Sequence, residues 1–206
     1  MIDIAATFIT FFAVVDPIGT VPVFLAVTRQ FDEKAQRRIA LMATLTAAAV
    51  LLFFVVAGEL ILNAMSIPLS AFQISGGIVL FLFALTMIFG ESKPDEELRL
   101  LNNQRETAIF PLAVPSIASP GAMLAAVLLT EDSLYTLTEQ ALTFVVLLSV
   151  LIVTYLLMLM SGKINKVIGL SGASVVSRIM GVILAAVAIT NVLEGITSYF
   201  NLNVTP

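Results

Sequence analysis

Asp16 is the one charged residue in the apolar stretch from Ile4 to Thr28, and it stands in "FAVVDPIGTVPVF" (12–24) with Pro17, Gly19, Thr20 and Pro22. A carboxylate among aliphatic side chains can hold an ammonium group, bind and release a proton, or cap a helix end. A second group of the same kind occurs at Ser119, Pro120, Gly121 and Ala122 in "PLAVPSIASPGAM" (111–123). Asp16-Pro17 and Ser119-Pro120 both read as a helix N-cap followed by proline at the first helical position. Pro22 leaves Thr20 as an alternative cap in the first stretch. Free amides at a helix start favour an anion. The amides of Gly19–Val21 and Pro120–Met123, where an N–H exists, therefore form a candidate site for a small carboxylate. The Thr20 and Ser119 hydroxyls would help, and Asp16 would hold the ammonium group or a coupling proton.

Other chemistry is scarce. The chain has no histidine and no cysteine, so the usual general base, the commonest metal ligand and thiol chemistry are all missing. No cluster of carboxylates replaces them, and neither a metal, a cofactor nor an enzymatic activity is expected. Gly169 and Gly172 in "GLSGAS" do not make a nucleotide-binding loop, since no strand precedes them.

The elements that must position these groups are membrane spans. Of 206 residues, 59% are hydrophobic and 12% charged, with mean hydropathy +1.06, too little polar surface for a water-soluble fold. Runs long enough to cross a bilayer place six helices at about 4–28, 38–62, 67–89, 107–130, 139–161 and 178–200. All ten basic residues fall in three connections, 29–38, 91–106 and 162–178. The positive-inside rule puts these loops in the cytoplasm and both termini on the extracytoplasmic side of a cell (inner) membrane.

The halves of the chain resemble each other. Asp16-Pro17 falls on Ser119-Pro120 at an offset of 103, and "GIVLFLFALT" (77–86) falls on "GVILAAVAIT" (181–190) at 104. Three crossings per half invert the second repeat relative to the first, a construction common among secondary transporters. The expected fold is an all-α membrane protein: six transmembrane helices as two inverted three-helix repeats, with helices 1 and 4 broken near the midplane. It forms one transmembrane domain, 1–206, with repeat A at 1–90, a cytoplasmic loop at 91–106 and repeat B at 107–206. Gln73, Ser75, Thr86, Thr190 and Asn191 either line a cavity or make interhelical hydrogen bonds.

The segments "DPIGTVPVF" (16–24), "ISGGIVLFLFALTMIFG" (74–90), "PLAVPSIASPGAM" (111–123) and "RIMGVILAAVAITNVLEGI" (178–196) resemble the MarC family of bacterial and archaeal inner-membrane proteins. The resemblance covers essentially all six spans. It implies a six-span fold with inverted repeats and broken first and fourth helices, and transport of small neutral amino acids such as glycine or alanine driven by the proton gradient. The family's first motif more often reads DP(I/L)GN where this chain has Thr20, and its fourth-span motif AGPG or AGPT where this chain has Ala118, Ser119, Pro120 and Gly121. A hydroxyl remains at each break, so an altered selectivity is expected.

The reading that joins these observations is a secondary active, alternating-access carrier of a small zwitterionic amino acid. Its other partner is membrane lipid; a homo-oligomer is left open and no nucleic acid is expected. The alternatives are an exporter of another small solute, or a channel-like or non-transporting membrane protein.

Overall fold

The computed structural model describes residues 3–89, 103–131 and 135–202. Most of the expected loop 91–106 lies outside them. Among the described residues every regular element is helical: α1 Ile4–Val15, α2 Pro17–Thr28, α3 Glu33–Ala64, α4 Leu69–Phe89, α5 Gln104–Thr107, a π-helical segment Ala108–Ile117, α6 Pro120–Leu128 and α7 Leu137–Tyr199. Side-chain caps mark the starts. Asp3 accepts the Ala5 and Ala6 amides, Asp32 accepts that of Ala35, and Thr136 and Glu139 form a reciprocal capping box. Gln36 ties the turn before α3 by donating to the carbonyls of Thr28 and Phe31 at 3.1 and 3.0 Å.

Among the described residues there are five spans, and a sixth when a bent pair of helices is taken as one. Ile4–Thr28, Glu33–Ala64, Leu69–Phe89, Leu137–Ile164 and Arg178–Tyr199 are each long and apolar enough to cross a membrane, and Gln104–Leu128 makes a sixth that bends by 58°. Val56, Leu60 and Phe89 are 71%, 69% and 76% exposed, an arrangement suited to lipid rather than water. One expectation is corrected. The connection 162–178 is helical throughout, so the last two spans belong to one run of helical hydrogen bonding. Its glycines and serines carry no proline, and nothing in that stretch deprives the backbone of a donor.

The broken spans are exchanged between repeats. α1 and α2 pack against α7, whereas the π-helical segment and α6 pack against α3 and, for α6, also α4. Small residues permit this. Ala43 and Ala47 are fully buried on α3, and a Cβ at Gly58 or Gly76 would collide with Val127 or Leu124 of α6.

The third and sixth spans carry the symmetry most clearly. A Cβ on Gly77 would lie 2.9 Å from the Ala188 carbonyl oxygen and 2.8 Å from Val192; one on Gly181 would lie 3.1 Å from the Ala84 carbonyl oxygen and 2.9 Å from Ile88. Gly77, Ala84 and Ile88 plus 104 are Gly181, Ala188 and Val192, so each contact is the other with the repeats interchanged. That relation defines an internal pseudo-two-fold axis between two antiparallel helices. Because the obstructing atoms include backbone carbonyls, Gly77→Ala and Gly181→Ala are each expected to force the pair apart. A lowered unfolding midpoint in detergent, worth about 1–3 kcal/mol per substitution, would record it. Unchanged midpoints would mean that the two helices separate freely.

Candidate functional site

Span 1 is interrupted at a single residue. Asp16 has left-handed backbone, φ 46° and ψ 68°, between the end of α1 and the start of α2. Aspartate is among the few residues with a side chain that enter this region readily. Its Oδ1 accepts the Gly19 amide at 2.9 Å, and its carbonyl accepts both the amide and the hydroxyl of Thr20 at 3.0 Å. Asp16, rather than Thr20, is therefore the cap of α2. Pro17 follows at the first helical position with no N–H to offer, so the ladder stops at Ala13.

Span 4 is interrupted more heavily. Phe110 and Val114 have extended backbone inside the π-helical segment, each immediately before a proline. The ring of a following proline excludes the α region for the residue ahead of it. Ser119 then caps α6, its Oγ accepting the Ala122 amide at 3.1 Å, with Pro120 at the first helical position.

The two interruptions touch. The Ser119 hydroxyl donates to the Val14 carbonyl at 2.7 Å, across a sequence separation of 105 residues. In a continuous helix the Ile18 amide would fill that carbonyl; here a side chain from the other repeat does. Asp16 is 7% exposed and Ser119 fully buried, so the junction is dry. Non-helical backbone at membrane depth persists only where protein or water satisfies it. Here the satisfying groups are Asp16, Thr20 and Ser119.

A family model described as MarC family integral membrane protein matches residues 1–200 of the chain. The chain belongs to the MarC family. It is 33% identical to a UPF0056 membrane protein of Methanocaldococcus jannaschii over 92% of this chain and 93% of the relative. A UPF0056 membrane protein of Buchnera aphidicola subsp. Schizaphis graminum is 31% identical over 97% of this chain and 99% of its own length. One from Aquifex aeolicus is 30% identical over 92% and 90%. No solved structure matches the chain.

In this MarC protein four of the amides expected to receive a carboxylate already have partners. Gly19 donates to the Asp16 carboxylate and Thr20 to the Asp16 carbonyl; Ala122 donates to the Ser119 hydroxyl and Met123 to the Ser119 carbonyl. A substrate carboxylate would have to exchange with a cap. The secondary set of polar residues stands apart from the junction. Ser75, Thr86 and Thr190 are exposed and donate to carbonyls within their own helices. Gln73 donates to Glu194 at 3.2 Å between the third and sixth spans, and Asn191 is half-buried beside them. The buried face of α4 carries Gly77, Leu80 and Ala84 instead, which is why its polar residues face outward.

Two cavities of the MarC chain flank the junction. One, about 190 Å³, lies between the start of span 1 (Asp3, Thr7, Thr10), Leu129 and Tyr135 after α6, and Thr143 of span 5. The other, about 440 Å³, lies between the start of span 4 (Asn103–Arg105), Phe31 after α2, and Arg38 and Met42 of span 2. Interchanging the repeats converts one description into the other, with Tyr135 taking the place of Phe31. Asp16 and Ser119 lie between them along spans 1 and 4. Nothing in the sequence pattern pointed to Val14 as a partner of Ser119, since its backbone carbonyl and not its side chain accepts the bond, or to Thr143, which lies outside every motif.

Proposed function

We propose that this MarC protein is a secondary active transporter of small neutral amino acids, glycine- or alanine-like, driven by the proton gradient. It would reside in the cell membrane with both termini on the extracytoplasmic side and the basic loops in the cytoplasm. The observation that carries the proposal is the difference between the two caps. Ser119 caps α6 with a neutral side chain, and at the equivalent break Asp16 caps α2 with an acid. Serine and aspartate cap about equally well, whereas an acid at mid-membrane costs roughly 2.5–3.5 kcal/mol on insertion scales. Capping does not account for the charge. An ammonium group or a transported proton does.

Asp16 also offers a mechanism. When its carboxylate turns to an arriving ammonium group, the Gly19 amide that it accepts at 2.9 Å is released to the substrate carboxylate. The flanking cavities supply approach routes from opposite faces, and their exchange under the repeat is what alternating access requires. The chain works without a cofactor and without chemical conversion of its substrate.

Purified protein in proteoliposomes should take up labelled glycine or alanine when an inward proton gradient is imposed, and should release it when the gradient collapses. Excess unlabelled alanine should compete. Absence of flux for all twenty amino acids under both gradient directions would refute the proposal.

A further inference from the structure

The cavity at the face opposite the basic connections contains a group that the fold leaves unsatisfied. Thr143 is 1% exposed, and its hydroxyl has no hydrogen-bond partner among the described residues. Packing alone does not call for a hydroxyl here. At an offset of 103 or 104 the first repeat has Ala40 or Ile39, both fully buried and both apolar. The remaining wall sets acceptors on α1 beside Ala6, Leu129 and Tyr135. Asp3 uses Oδ1 to cap α1 through the Ala5 and Ala6 amides, at 3.0 and 3.1 Å, and among the described residues it is the one charge lining the space. The Thr10 hydroxyl spends its proton on the Ala6 carbonyl at 2.9 Å, so its oxygen is left to accept. Thr7, buried on the same face of α1, adds a second hydroxyl. The equivalent cavity in the other repeat carries Arg38 and Arg105, the opposite sign, so the acidic character does not follow from the fold.

We propose that this cavity is a second ligand site, distinct from the helix junction, which takes a small ammonium group. One carboxylate surrounded by hydroxyl oxygens matches the three N–H donors of a primary ammonium. A hard divalent cation would ask for more carboxylates than Asp3 alone supplies. At about 190 Å³ the space admits several waters or one small solute. Thr10 stands six residues before Asp16, about 9 Å along the helix axis, and Phe11, Val14 and Val15 close the interval with at most 1% exposure. The site is thus a separate station on the same helix. It does not depend on transport taking place.

The test is ligand-induced stabilisation of the full chain in detergent at low ionic strength, with methylammonium, glycine, sodium and choline chlorides or salts as probes. Methylammonium should raise the unfolding midpoint of the native protein. Asp3→Asn keeps the cap and removes the charge, and should weaken apparent methylammonium affinity by about tenfold or more. Thr143→Val removes an unpaired hydroxyl at constant shape. It should be at least as stable as the native protein, yet lose most of the methylammonium response. A glycine response with the same dependence on Asp3 identifies the ammonium as that of a zwitterion; a response to methylammonium alone identifies a free amine. The proposal is overturned if Asp3→Asn and Thr143→Val respond as the native protein does. Equal shifts from sodium or choline overturn it too.

Discussion

Asp16→Asn is expected to abolish gradient-driven accumulation of substrate and leave the fold in place. Asparagine caps helices as well as aspartate does and tolerates left-handed backbone. Its side-chain oxygen can accept the Gly19 amide that Asp16 now accepts at 2.9 Å, and the bonds from Thr20 to the carbonyl of residue 16 are untouched. Only the charge is removed. For one proton per solute, a gradient of one pH unit supports at most about tenfold accumulation. The native protein should approach that ratio in proteoliposomes, and Asp16→Asn should stop at equal concentrations on both sides. Exchange without accumulation would locate the proton on Asp16; loss of exchange as well would mean that the ammonium group is also held there. Asp16→Ala removes the cap too, and should unfold more easily by about 1 kcal/mol. Near-native accumulation by Asp16→Asn would eliminate both functional roles and leave Asp16 a helix cap.

The parts of this architecture that were legible in the sequence are those governed by local rules. Asp16-Pro17 and Ser119-Pro120 announce helix starts because a cap and a missing N–H act within one turn. The offset joining Gly77 to Gly181 is legible because close helix approach demands a residue without Cβ at both sites, and the structure puts a carbonyl against each. What escaped involves choices between distant partners. Packing of span 1 is apolar whichever repeat supplies the wall, so composition cannot say that α1 and α2 lie on α7. Likewise Ser75, Thr86 and Thr190 look alike as cavity-lining or self-satisfied hydroxyls until the helix's buried face is known. In 162–178 the charges and glycines mark a membrane exit, and such an exit does not require the backbone to leave the helical ladder.

The same limit made Thr20 and Ser119 look interchangeable, each a hydroxyl beside a break, and their bonding predicts opposite outcomes. Thr20 is 1% exposed, but its hydroxyl donates only to the Asp16 carbonyl, which already accepts the Thr20 amide. Thr20→Val should therefore be close to neutral, within about 0.5 kcal/mol. Ser119→Ala removes one side chain from two bonds, leaving the Val14 carbonyl and the Ala122 amide without their present partners in a fully buried site. A lost cap costs about 0.5–2 kcal/mol, and an interhelical hydrogen bond in a membrane protein is worth about 0.6–1.7 kcal/mol. The expected destabilisation is about 1.5–3 kcal/mol, read from denaturant or thermal unfolding in detergent. Ser119→Gly separates the two contributions, because glycine is nearly as good a cap as serine and has no hydroxyl to reach Val14. If the cross-repeat bond carries the loss, Ser119→Gly will resemble Ser119→Ala; if the cap carries it, Ser119→Gly will resemble the native protein. Since that bond is what joins the two broken helices, both substitutions should also raise leak of substrate down its own gradient in proteoliposomes, and Thr20→Val should not. A Ser119→Ala protein as stable and as tight as the native one would show that the junction is held by apolar packing alone.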